Sequence, residues 1–78
     1  MSTPPHRLDA RGRRCPLPIL DLARHIDEVV IGATITIEAD DPAADPDIRA
    51  WCRMRGHEFV SVARAEDGTP GYTVRRLH

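Results

Sequence analysis

A change of hydrophobic period near the middle of the chain limits most sharply what it can fold into. From Pro16 to Val30 the apolar residues Ile19, Leu22, Ala23, Ile26 and Val30 recur at helical spacing, and Pro16 occupies a first helical position, where proline is favoured. Gly32 interrupts, and Thr34 to Ala39 then alternate polar and apolar, the period of a strand with one wet face. Upstream, His6 to Ala10 carries a single apolar anchor, Leu8, and suits a short strand leading into Arg11 and Gly12. Downstream, Asp40, Asp41, Pro42, Asp45 and Pro46 supply helix-start chemistry. Ile48, Trp51 and Cys52 then share one face of a short second helix that Gly56 ends. Phe59–Arg64 and Tyr72–Arg76 are rich in β-formers, and the segment Glu66 to Gly71 between them reads as a hairpin loop.

The resulting order is β-α-β-α-β-β. A strand-helix-strand unit imposes parallel pairing and the closing hairpin antiparallel pairing, so a mixed four-stranded sheet is expected. Alternating strands have one solvated face, which places both helices on the other and gives a two-layer α/β sandwich. At 78 residues the chain is read as one domain over 1–78, with an ordered core of about 6–77. A chain of this size buries only about 60% of its unfolded surface, so any chemistry is expected at the surface and not in a deep cavity.

The net charge of −1 hides an asymmetry. Residues 1–24 hold five Arg against two Asp, residues 25–48 hold seven acids and no Arg, and residues 49–78 hold six Arg against three acids. Arginine pairs bidentately with carboxylates, so acidic protein partners suit this surface. The charge is too scattered for direct nucleic-acid binding, and three aromatic residues offer little for base stacking. No apolar run approaches the roughly 20 residues needed to span a bilayer, so no membrane partner is expected. Met1 to Pro5 lacks the pattern of a secretory signal, and two cysteines are too few for a disulfide framework. The expectation is a cytoplasmic protein with free thiols.

Cys15-Pro16-Leu17-Pro18 places a thiol at the N-cap of a helix whose first turn contains two prolines. Proline has no N–H, so only Leu17 keeps a donor able to reach the sulfur. The helix dipole still favours negative charge there, and Arg11, Arg13 and Arg14 lie immediately upstream. The expected result is a thiolate-rich Cys15 with a moderately lowered pKa, which retains the nucleophilicity that a stronger depression would remove. No second cysteine stands two residues away as a redox partner. An inert small residue in a proline-ordered turn is the other reading of the same local chemistry.

Leu8-Asp9-Ala10-Arg11-Gly12, Cys15-Pro16-Leu17-Pro18, Asp40-Asp41-Pro42, Asp47-Ile48, Trp51 and Gly56-His57 resemble, in order and spacing, the TusA-like (SirA-like) sulfur-carrier family. The resemblance covers about residues 7 to 76, and its signature is the Cys-Pro-x-Pro element. Arg24 stands where many relatives carry Lys, and the charge is kept. The resemblance implies a persulfide on Cys15, with sulfur received from a cysteine desulfurase or rhodanese-like donor and relayed to an acceptor sulfurtransferase protein. It implies a carrier, not a stand-alone catalyst, and the same two-layer fold. Relatives serve tRNA thiolation, cofactor biosynthesis or sulfur oxidation.

Other residues have simpler roles. Cys52 follows Ile48 by four and is expected to be buried; a disulfide with Cys15 is the lesser reading. His57 reads as a boundary structural residue, Trp51 as core, and Asp40 and Asp41 as a turn and helix start. His6, His25 and His78 are isolated in sequence and, with Cys15, Cys52 and His57, show no paired metal-ligand spacing, so neither a metal nor a cofactor is expected. A thiol-independent regulatory or protein-interaction module is the alternative function, with an RNA-binding domain of similar build third.

Overall fold

The computed structural model describes residues 6–14 and 16–78. The elements are β1 (His6–Asp9), α1 (Leu17–His25), a 3-10 turn (Ile26–Glu28), β2 (Thr34–Glu38), α2 (Ala44–Arg55), β3 (Glu58–Arg64) and β4 (Pro70–Arg75). The four-stranded sheet has the order β1-β2-β4-β3. β1 runs parallel to β2, while β4 is antiparallel to both β2 and β3. This is the expected mixed sheet.

The period-two alternation of β2 decides which face the helices cover. Ile35 and Ile37 are fully buried and pair in register with Val74 and Tyr72 of β4. Leu22 of α1, Ile26 of the turn, and Ile48, Trp51 and Cys52 of α2 complete the core from above. Each large apolar side chain so buried contributes roughly 1.5–3 kcal/mol. On the opposite face Thr36 and Thr73 share a hydroxyl hydrogen bond of 3.0 Å across the strands. A slip of one residue would bring these threonines into the core, so the alternation also sets the register.

Three local expectations are corrected. The first helix ends at His25, and Val30 is 75% exposed instead of joining the apolar stripe. The cause is tertiary: Arg76 donates to the Val29 carbonyl at 2.7 Å, and its own backbone exchanges hydrogen bonds with Gly32 and Ala33, so the chain is drawn out of the helix toward β2. The second helix is not short but spans 12 residues. Its end at Gly56, with φ 75°, is as expected, because a left-handed C-cap favours the residue without a Cβ. Third, β4 begins at Pro70, inside the expected loop; a proline is tolerated there because the first strand residue need not donate.

Candidate functional site

The approach to Cys15 begins where β1 ends. Ala10 is buried, and its N–H reaches the Glu38 carbonyl at 2.8 Å, which extends the parallel ladder by one residue. The chain then turns at Gly12, whose φ of 77° explains the glycine. The Gly12 N–H points between both carboxylate oxygens of Asp40, at 3.0 Å each. Asp40 therefore tethers this loop instead of starting α2. Of the two, it is Asp41 that shapes that start: its Oδ1 accepts from the Ala43 N–H at 2.9 Å, and its carbonyl accepts from the Ala44 N–H at 2.9 Å.

The three upstream arginines diverge. Arg11 donates to Asp9 at 3.0 Å and to Asp67 of the β3–β4 loop at 2.8 Å. The Arg11 guanidinium holds the Asp9 carboxyl down to about 2. Asp67 is likewise down to about 2, first through hydrogen bonds from Thr69 and then through Arg11. Arg13 donates to Asp21 of α1 at 2.6 Å. Arg14 has no ion pair among the described residues. Two of the three cations are thus already matched by carboxylates, which reduces the positive field they offer a nearby anion.

Cys15 itself lies outside the described residues. Its flanks correct the expected helix start. Pro16, with φ −93° and ψ 16°, is the N-cap instead of the first helical residue, and Pro18 falls within the first turn and is buried. The Leu17 N–H, expected to be free for the sulfur, donates to the Arg14 carbonyl at 2.9 Å. Leu17 and Leu20, 45% and 51% exposed, project from this end of α1. Beside it Gly12, Arg13, Arg14, Asp40, Asp41 and Pro42 line a shallow, open depression.

Cys52 is 2% exposed, and burial pushes its thiol up to about 11. Trp51, in the core beside it, stacks on His57 with ring centroids 5.4 Å apart. The His57 Nδ1 accepts from the Leu77 N–H at 3.1 Å, and burial lowers the pKa of the ring. Both rings are engaged in contacts within the fold. The loop's supports, Asp40 and Asp21, were not legible as such: Asp40 is 28 residues from Gly12, and nothing local links them.

No helix among the described residues is long and apolar enough to cross a membrane. The crystal structure of a SirA-like protein from Desulfitobacterium hafniense is similar in fold, with a TM-score of 0.77 at 18% identity over 92% of this chain and 97% of that one. The family model for sulfurtransferase TusA matches residues 6–76. The chain therefore belongs to the TusA family, whose role is in sulfur transfer together with partner proteins.

Proposed function

We propose that this protein carries transferable sulfur as a persulfide on Cys15 and relays it between partner proteins in the cytoplasm. The observation that carries the reading is the state of the other thiol. Cys52 is 2% exposed with its pKa raised to about 11, which makes it useless as a nucleophile near neutral pH and leaves the chemistry of a sulfur-transfer family to Cys15.

In the first step the Cys15 thiolate attacks the outer sulfur of a donor persulfide. The donor's S–S bond breaks, the donor leaves as its thiolate, and Cys15–S–SH forms; a cysteine desulfurase or a rhodanese-like protein supplies such a donor. In the second step an acceptor thiolate attacks the outer sulfur and Cys15 leaves as thiolate, so the carrier is regenerated with no net oxidation or reduction. Arg14 is the nearest upstream cation without a carboxylate partner among the described residues, and it supports the anionic sulfur more than Arg11 or Arg13. Pro16 and Pro18 fix the turn, while the tether from Asp40 to Gly12 holds its approach. Leu17 and Leu20 offer apolar contact to a docking partner.

Incubation with a cysteine desulfurase and cysteine, or with a rhodanese and thiosulfate, is expected to add one sulfur atom, read by mass spectrometry. Cys15→Ser abolishes the addition and Cys52→Ser retains it. An acceptor thiol removes the sulfur and returns free thiol, which separates a carrier from an oxidised end product. Loading that survives in Cys15→Ser but not in Cys52→Ser overturns the assignment, and failure to load from either donor favours an interaction module.

A further inference from the structure

The strand-loop-helix reversal at the start of the chain has a second consequence. β1 runs toward Cys15 and α1 runs back, so the first residue of the strand and the last residue of the helix meet. They are His6 and His25, 19 positions apart and without any metal-like spacing in sequence. The 3-10 turn that follows α1 then brings Glu28 between them. His6 Nε2 lies 2.8 Å from Glu28 Oε1, and His25 Nδ1 lies 2.7 Å from Glu28 Oε2. One ligand atom from each residue falls within 4.8 Å of the other two.

We propose that His6, His25 and Glu28 form a binding site for a divalent first-row transition metal ion, zinc being the probe of choice. Two imidazoles and one carboxylate are a donor set that such ions accept, with a fourth position left to water. In a tetrahedral zinc site neighbouring ligand atoms stand about 3.4 Å apart. The two contacts to Glu28 would open by under about 1 Å and the imidazoles close by at most about 1.4 Å. All three side chains are one-third to one-half exposed, which leaves room for that adjustment and an entry path for the ion.

A second observation concerns how poorly His6 is satisfied. His6 Nε2 is shut off from solvent, yet it has no partner in hydrogen-bond geometry, its short contact with Glu28 being off-line. A buried imidazole nitrogen held only by an off-line contact is incompletely satisfied, and a metal ion shared with the Glu28 carboxylate would satisfy it. The two rings are tilted by 44° with centroids 6.3 Å apart, so stacking does not account for their approach. The ion would join the edge strand to the far end of α1, about 13 Å of helix away from the end that follows Cys15. Metal binding and sulfur loading are therefore separable.

The test uses the full, untagged chain after chelator treatment. Zinc chloride is titrated in competition with a chromophoric chelator, and cobalt(II) absorption reports the geometry. One ion per chain is expected, with binding retained in Cys15→Ser and His78→Ala. In His6→Ala, His25→Ala and Glu28→Gln the affinity is expected to fall at least tenfold, since even residues outside the ligand set commonly cost 10–100-fold when removed. Glu28→Gln preserves size and is the variant least able to disturb folding, which circular dichroism checks. Zinc is also expected to raise the melting temperature of the parent protein and not that of Glu28→Gln. Absence of saturable binding, full affinity in His25→Ala or Glu28→Gln, or loss of binding in Cys15→Ser overturns the proposal. The last outcome would assign the metal to the thiol.

Discussion

The loop that leads to Cys15 and the helix that carries Cys52 are held in place by opposite means. From Arg11 to Arg13 the chain is held by charged and polar tethers from distant elements: Asp40 to Gly12, Asp67 to Arg11, Asp21 to Arg13. Helix α2 is fixed by apolar burial, with Ile48, Trp51 and Cys52 at 0–5% exposure. Charged tethers define a chain path without covering it, so a large partner can still reach the loop. Burial immobilises a thiol but removes it from reaction, as the raised pKa of Cys52 shows. One fold thus provides both settings within a single two-layer sandwich.

The contrast is open to attack where its expected effects are largest. Ile48→Ala removes a fully buried side chain and is expected to cost about 3 kcal/mol by urea unfolding, whereas Leu20→Ala, at a half-exposed position, stays within about 0.5 kcal/mol. Equal losses would mean that the Cys15 end of α1 belongs to the core as much as α2 does. Next in size is the reactivity of the two thiols toward brief iodoacetamide exposure near neutral pH. A pKa of about 11 leaves Cys52 with a thiolate fraction roughly a hundredfold below that of an ordinary thiol. Peptide mass mapping is expected to show Cys15 labelled at least a hundredfold faster. Preferential labelling of Cys52 in the folded protein would invert the comparison.

The smallest effect concerns the prolines. Because the Leu17 N–H is taken by the Arg14 carbonyl, a new donor in the first turn must come from residue 18. Pro18→Ala introduces one and is expected to lower the Cys15 pKa by less than about one pH unit, read from thiolate absorbance against pH. An unchanged or raised value would show that the helix start does not control this thiol.

Much of this was already written in the chain. The switch from helical period at Ile19, Leu22 and Ile26 to alternation at Ile35 and Ile37 identified the layers, the mixed sheet and the wet face, because burial periodicity is a local property of each element. Cys52 and Gly56 were equally legible from stripe spacing and C-cap preference. Cys15-Pro16-Leu17-Pro18, with the downstream Asp40-Asp41-Pro42, pointed to the family. Tertiary structure alone decided the exit of the chain from α1, because the hydrogen bonds of Arg76 compete with helix continuation from 47 residues away. It also decided that Asp40 serves Gly12 while Asp41 shapes the start of α2, a division that two adjacent identical residues cannot reveal. The meeting of His6, His25 and Glu28 likewise depends on the length of β1, the loop and α1 together. Periodicity records which face of an element is dry, but the pairing of polar side chains between elements depends on where the chain returns.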